Sequence, residues 1–153
     1  RFQRMAQNIA PRQRTVLRRR WRASERDTVV LFASEPLAEM RQVGKAVDQD
    51  EFVCLETLIE RLAMGEPPDL KGVKGAGFII VIRPHPRDRQ CKYARYLEDS
   101  RIRVTVDMTG GSGEAILAVD VVAGMRSMLL QEAELLGKPV WCLSGSIGER
   151  LTQ

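Results

Sequence analysis

The single histidine of the chain lies in the sequence Arg83-Pro84-His85-Pro86. The two prolines fix the backbone on either side of His85 and prevent a helix from continuing through it. A guanidinium and an imidazole held on such a rigid turn suit an anionic ligand, most naturally a diphosphate. The alternative is a surface turn in which the histidine has no functional role. One histidine alone does not make a metal site, and we expect no metal.

A second candidate phosphate site lies at residues 124–127. Gly124 permits a tight turn from a strand into a helix, and Arg126 and Ser127 then stand at the helix start. Unpaired backbone N–H groups and the positive end of the helix dipole attract phosphate oxygens there. Ser127 could equally be the N-cap, which stabilises a helix by about 1 kcal/mol. The two roles are compatible, so Ser127 does not discriminate between them.

Glu132 is a carboxylate on the apolar side of the same helix. At about 100° per residue, Met128, Leu129, Ala133 and Leu136 share one face, and Glu132 falls within it. A charge in that position is costly unless a partner satisfies it. Ribose hydroxyls are one such partner, because a carboxylate can accept two hydrogen bonds. A salt bridge to an arginine is the alternative.

The segment 110–114, with the sequence GGSGE, invites comparison with phosphate-binding loops. It lacks the GK[ST] signature, and a GxGxxG pattern would need a glycine where Ile116 stands. We therefore predict a flexible turn that begins a helix. The alternative is that Ser112 lines a nucleotide pocket.

Five short apolar runs, rich in β-branched residues, are typical of strands buried on both faces. They span residues 28–33, 78–82, 102–106, 120–124 and 140–143. Helical patterns occupy residues 50–63, 90–99, 114–119 and 127–136, and a loop rich in glycine and proline occupies residues 65–77. Strands that alternate with helices predict parallel strands joined by right-handed crossovers. We therefore predict an α/β fold: a doubly wound, Rossmann-like three-layer sandwich with about five parallel strands.

Doubly wound sheets bind ligands at the carboxyl ends of their strands, near the point where the strand order reverses. Side chains that directly follow the predicted strands are therefore candidates for lining the site. In addition to the residues above, these candidates are Ser34, Glu35, Thr109, Ser112, Met125 and Ser144.

Charge is distributed unevenly along the 153 residues. The sequence holds 24 Lys+Arg and 20 Asp+Glu, a formal net charge of +4. Eight arginines and no acid lie in residues 1–22, which leaves 16 basic against 20 acidic residues, a formal −4, in the remainder. We interpret residues 1–27 as a basic, solvated arm from a missing N-terminal domain, and residues 28–153 as the ligand-binding domain. The arm could contact anionic lipid headgroups. Binding to nucleic acid is less expected, because Trp21 alone offers little aromatic surface on which bases could stack.

Cysteine spacing and hydropathy narrow the class of protein. No apolar run approaches the roughly 20 residues that span a bilayer. Cys54, Cys91 and Cys142 are far apart and form no CxxC pair, which favours neither a zinc site nor a disulfide framework. We therefore expect a reducing, cytoplasmic setting, with the arm able to hold the protein at the inner face of the membrane.

The order strand, RPHP, strand and then DVVAGMRSMLLQEAELLGKPV resembles the C-terminal, donor-binding domain of GT-B-type glycosyltransferases. The similarity is to capsule and lipopolysaccharide enzymes, including sialyl- and Kdo-transferase-like proteins, and covers roughly residues 28–144. The resemblance implies that His85, Arg126 and Ser127 bind the phosphates of a nucleotide-sugar donor, and we expect Arg83, on the same turn as His85, to join them. It also implies that Glu132 binds the ribose.

The resemblance implies sugar transfer to a surface polysaccharide or glycolipid, without a cofactor. The catalytic base of such enzymes usually lies in the N-terminal domain, so no residue here is assigned as catalytic. We expect the isolated chain to bind nucleotide weakly and to catalyse nothing. Three alternatives remain: a non-hydrolysing sugar-nucleotide 2-epimerase-like enzyme, a non-catalytic nucleotide-binding module, and a nucleic-acid binder that uses the arm. The epimerases have an acid, a serine and two glycines where this chain has Met125, Arg126, Ser127 and Met128, which favours the transferase.

Overall fold

Five strands alternate with helices along the chain. The computed structural model describes residues 11–42, 44, 49–75, 77–125 and 128–143. Its elements in chain order are α1 (Pro11–Arg20), β1 (Thr28–Ala33), α2 (Leu37–Gln42), α3 (Glu51–Ala63), β2 (Phe78–Arg83), a 3₁₀ helix (Ala94–Glu98), β3 (Arg103–Val106), α4 (Ser112–Ala118), β4 (Val121–Gly124), α5 (Met128–Leu135) and β5 (Val140–Cys142).

The strands form one sheet in the order β3-β2-β1-β4-β5, and every neighbouring pair is parallel. The chain builds outward from β1 through β2 to β3, then crosses back to add β4 and β5 on the other side of β1. The strand order therefore reverses between β1 and β4. At the carboxyl end of this central pair, Ala33 is in register with both Arg83 of β2 and Gly124 of β4. The predicted doubly wound, Rossmann-like α/β fold is confirmed.

Helices cover both faces of the sheet. Successive side chains of a strand point to opposite faces, and every residue of β1 is buried. Phe32 belongs to the core on one face, together with Leu55 of α3. Leu31 belongs to the core on the other face, together with Ile116 of α4 and Ala133 of α5. This double burial explains why the strands have continuous apolar sequences rather than alternating ones.

Helix α2 was not predicted, because its sequence contributes no buried residue. Its first N–H groups are bound by a side chain from the next helix: the backbone N of Leu37 lies 2.9 Å from Glu51 Oε2, and that of Ala38 lies 3.0 Å from Glu51 Oε1. A carboxylate at a helix N-terminus satisfies donors that have no partner within the helix. Here the capping group comes from α3, so no sequence pattern within α2 or next to it indicates where the helix begins.

Helix α1 was not predicted either, because the sequence favours a basic arm over residues 1–27. The remaining elements match the predicted ones, with shifted ends. The predicted helix at residues 90–99 is a series of turns followed by the 3₁₀ helix, and α4 begins two residues before the predicted start. The strand predicted to begin at residue 120 begins at Val121, and the predicted helix start at Ser127 lies outside the described residues. None of the helices in the described ranges has the length and hydropathy of a membrane span.

The expectation of a solvated basic arm is wrong for residues 11–27. Leu17 and Trp21, one helical turn apart, are buried in the core on the α4 side. The guanidinium of Arg18 is also buried, where Nη1 donates to the carbonyl of Ala118 at 3.0 Å and lies 3.5 Å from Asp120 Oδ2. The apolar pair and the buried carboxylate draw this segment onto the domain. Residues 1–10 lie outside the described residues.

Replacing Trp21 tests this packing. The side chain is 3% exposed, so we expect Trp21→Ala to lower the free energy of unfolding by about 3–5 kcal/mol, through lost burial and a residual cavity. The measurement is urea denaturation followed by circular dichroism. Val16→Ala on the same helix is the control, because Val16 is 50% exposed and surface substitutions usually change stability by less than about 0.5 kcal/mol. Equal stabilities of the two variants would contradict the packing.

Candidate functional site

A cleft of about 430 Å³ opens at the carboxyl edge of the sheet. It lies where the strand order reverses, and the connections after β1 and β4 leave the sheet there in different directions. Its walls are formed by the segments that follow β1 and β2 and by the starts of α4 and α5. The lining residues are 33–36, 83–86, Ser112, Met128, Leu129 and Glu132.

Six residues that the sequence singled out meet at this cleft. They come from four separate segments, since Ser34 and Glu35 follow β1, Arg83 and His85 follow or end β2, Ser112 begins α4 and Glu132 lies on α5.

The other candidates are elsewhere or outside the description. Thr109 is exposed and does not line the cleft, and Met125 is buried in the core at 4% exposure. Both residues were expected to line the pocket, and this expectation is wrong. The side chain of Met125 packs instead into the core on the α3 side of the sheet. Arg126, Ser127 and Ser144 lie outside the described residues.

Gly124 allows close contact between the two central strands. A Cβ at this position would lie 3.2 Å from both the Cβ and the carbonyl oxygen of Ala33. That distance is tighter than an ordinary van der Waals contact, so a larger residue would push β4 away from β1. The glycine therefore shapes the floor of the cleft by letting the strands approach.

Only one of the two terminal nitrogens of the Arg83 guanidinium has a hydrogen-bond partner among the described residues. Its Nη2 donates to the carbonyl of Gly110 at 2.9 Å, which holds the side chain against the loop before α4. Its Nη1 is buried and has no hydrogen-bond partner among the described residues. A buried donor without a partner costs free energy. A negatively charged ligand oxygen would satisfy it with a charge-assisted hydrogen bond.

The His85 turn is closed by hydrogen bonds at both of its ends. The backbone N of His85 donates to Asp88 Oδ2 at 2.8 Å, and the backbone N of Asp88 donates to the His85 carbonyl at 2.9 Å. The ring nitrogen Nδ1 accepts from the backbone N of Arg87 at 3.0 Å. Because an acceptor nitrogen carries no proton, the neutral ring has its proton on Nε2. The imidazole therefore offers an N–H donor from a rigid turn.

Ser112 supplies the partner that Glu132 requires. Its hydroxyl donates to Glu132 Oε1 at 2.7 Å, whereas no arginine forms an ion pair with Glu132 among the described residues. No described residue engages Oε2 in a hydrogen bond or an ion pair. The glycine-rich segment thus contributes a serine that orients this carboxylate, and both residues line the cleft.

A buried network that sequence reasoning missed lies behind the cleft. Asp88 Oδ2 accepts from Ser34 Oγ at 2.5 Å, the Tyr93 hydroxyl contacts the same Ser34 oxygen, and Asp88 Oδ1 lies 2.7 Å from Lys92 Nζ. Burial alone would raise the pKa of Asp88, but hydrogen bonds from Lys92, Ser34 and the His85 backbone hold it below its usual value. The available sequence signal was the spacing of Asp88 three residues after His85 and four before Lys92.

Glu35, in contrast to Asp88, is a carboxyl group with too few hydrogen-bond partners. It lines the cleft, and its Oε1 is buried without a hydrogen-bond partner. Burial and then the negative charge of Glu51 raise its pKa above the ordinary value of a glutamate. The ionised form is thus disfavoured in the folded protein.

Glu35→Gln is expected to stabilise the protein near neutral pH, because glutamine removes a charge that folding desolvates. The folded pKa exceeds the unfolded one, so this destabilisation is full above the folded pKa and disappears as the pH falls below the unfolded value of about 4.3. Thermal denaturation of both proteins between about pH 4 and pH 8 should show a gap in melting temperature that closes in acid. Glu134→Gln, at an exposed position on α5, is the control for the change in net charge. A gap that is independent of pH would contradict the prediction.

In the described part of the chain, no group of three or more His, Cys, Asp or Glu side chains is arranged to hold a metal ion.

Comparison with known proteins finds no matching family model, no matching curated protein and no matching solved structure.

Proposed function

We propose that this chain is the donor-binding domain of a GT-B-type glycosyltransferase and that the cleft binds a nucleotide-activated sugar. The main support is the convergence of Arg83, His85 and Glu132 on one cleft at the reversal of strand order. The sequence resemblance assigns His85 to the donor's phosphates and Glu132 to its ribose, and the guanidinium of Arg83 on the same turn suits the same phosphates. A volume of about 430 Å³ is also within the range of small-molecule sites, about 300–1,000 Å³.

The β2 side of the cleft suits a diphosphate. Arg83 Nη1 has no hydrogen-bond partner among the described residues, and His85 offers Nε2–H. Both donors come from the end of one buried strand and the proline-flanked turn after it, so their separation changes little when a ligand binds. Arginine forms strong charge-assisted hydrogen bonds with phosphate oxygens.

The α5 side of the cleft suits a ribose. Ser112 donates to Oε1 of Glu132, which fixes the carboxylate and leaves Oε2 without a partner among the described residues. An ionised carboxylate can accept from the 2′ and 3′ hydroxyls at the same time.

The chemistry that follows is displacement at the anomeric carbon. The bond from this carbon to the diphosphate oxygen breaks, its electron pair stays on the diphosphate, and the acceptor hydroxyl oxygen forms the new bond. Arg83 and His85 stabilise the charge that develops on the leaving diphosphate, and Glu132 positions the donor. The base that takes the acceptor proton belongs to the other domain of such enzymes. An epimerase would use the same cleft without an acceptor.

The acceptor in this proposal is a saccharide or glycolipid. Helix α1 exposes Arg12 and Arg19, and cations of this kind favour anionic headgroups at the cytoplasmic face of a membrane. The chain would then work next to a glycolipid acceptor.

Calorimetric titration with UDP, GDP, CDP and CMP tests the proposal, with inorganic pyrophosphate as a ligand that lacks ribose. We expect at least one nucleotide to bind and Arg83→Gln to weaken both that nucleotide and pyrophosphate about tenfold or more, as for a lost hydrogen bond to a charged group. Glu132→Gln should weaken the nucleotide and leave pyrophosphate unchanged. Lys71→Gln and Glu134→Gln, at exposed positions away from the cleft, are the matched controls.

Three results would contradict this proposal. The first is the absence of binding to all four nucleotides at millimolar concentration. The second is a loss of affinity in Lys71→Gln equal to that in Arg83→Gln. The third is a Glu132→Gln effect of the same size on pyrophosphate and nucleotide, which would remove the ribose assignment. Sugar transfer by the isolated chain would contradict the assignment of the base to another domain.

A further inference from the structure

One carboxylate joins the two loops that border the cleft. Asp88 does not line the cleft, and its side chain is 2% exposed. Its Oδ2 accepts from the hydroxyl of Ser34, which follows β1, and from the backbone N–H of His85, which follows β2. Its Oδ1 lies 2.7 Å from Lys92 Nζ. The three hydrogen bonds of this carboxylate are therefore all made to groups within the fold.

Lys92 holds that carboxylate in place. Its side chain is 1% exposed, and its ammonium lies within 3.3 Å of oxygens of Asp88, Glu39 and Glu51. It also donates to the carbonyl of Glu35 at 3.4 Å. Burial alone would lower the pKa of Lys92, but the hydrogen bonds to Asp88 and Glu39 and the charge of Glu51 hold it above its usual value. The ammonium therefore stays charged and gives Asp88 a permanent partner.

Asp88 and the His85 ring make hydrogen bonds to the same turn. Asp88 and His85 are joined by two hydrogen bonds, which close the turn around Arg87. The closed turn directs the Arg87 backbone N–H to Nδ1 of the ring at 3.0 Å. In the neutral imidazole this leaves Nε2 as the protonated nitrogen.

We propose that Asp88, held by Lys92, is a positioning residue that fixes His85 as the Nε2–H tautomer. The effect on the ring does not depend on any ligand. The effect on affinity rests on the proposed function, since it requires that His85 donates to a phosphate oxygen. A purely structural Asp88 would stabilise the two loops without selecting a tautomer.

The ring itself can be observed because His85 is the only histidine in the chain. Long-range ¹H–¹⁵N correlation spectra of the full chain, labelled with ¹⁵N-histidine and recorded where the ring is neutral, report which nitrogen carries the proton. We expect a protonated Nε2 and an unprotonated Nδ1 in the wild type. Similar signals from both nitrogens in the wild type, as for a mixture of tautomers, would overturn the proposal whatever a variant does.

Asp88→Asn is the informative variant. An asparagine oxygen cannot accept from Ser34, His85 and Lys92 together, and its amide adds a donor that faces the ammonium. We expect the two ring nitrogens to shift towards each other as the tautomers mix. Glu39→Gln is the matched control, since it removes a carboxylate from Lys92 and leaves the His85 turn intact. An unchanged ring in folded Asp88→Asn would overturn the proposal, as would an equal change in Glu39→Gln.

Pyrophosphate affinity gives the second arm of the experiment, as a double-mutant cycle with His85→Ala. We expect Asp88→Asn and His85→Ala each to weaken pyrophosphate about tenfold, as for one hydrogen bond to a charged ligand, and the double variant to bind no more weakly than His85→Ala. Losses that multiply would show that Asp88 acts independently of His85 and would overturn the positioning role. If no protein binds pyrophosphate or any of the four nucleotides and the tautomer still changes in Asp88→Asn, the positioning role of Asp88 is supported and the proposed function fails.

Discussion

The buried ammonium of Lys92 is the interaction on which the carboxyl edge of the sheet depends. A charge removed from water is tolerated only when paired groups replace its hydration. Three carboxylates do so here, from the turn after β2, from α2 and from α3. The same Glu51 that faces Lys92 also binds the first N–H groups of α2. One ion cluster therefore places the helix after β1 and the turn after β2 against each other, next to the cleft that residues 33–36 and 83–86 line.

A second group of buried charges, centred on Asp120, joins elements at the beginning of β1. Asp120 accepts from the backbone N of Val29 at 2.8 Å and forms ion pairs with Arg18 and Lys74. These contacts attach α1 and the loop before β2 to the beginning of β1. Here the charged groups satisfy one another. At the cleft, by contrast, Arg83 Nη1 and Glu35 Oε1 have no hydrogen-bond partners among the described residues, so polar groups there are available to a ligand.

Much of the candidate site could be predicted because parallel strands bring their carboxyl ends to one edge. Arg83, His85 and Glu35 each follow or end a strand that the apolar pattern identified, so their convergence follows from the fold class. The need of Glu132 for a partner was visible from its helical position, but the partner, Ser112, was not. Asp88 and Lys92 were missed because their partners after β1, Ser34 and Glu39, lie more than 50 residues away in the chain.

The sequence by itself determined the strands, most of the helices and the edge of the sheet at which a ligand would bind. Those features arise from local apolar periodicity, which each segment expresses without reference to the others. Only the tertiary structure decided that α1 packs on the domain, that Glu51 caps α2 and that Asp88 closes the His85 turn. Each of these depends on one charged or aromatic side chain that meets a partner from another element, as Asp88 meets Ser34 after β1. Such pairings are selected by the cost of leaving a buried group unsatisfied, and that cost exists only once the chain has folded.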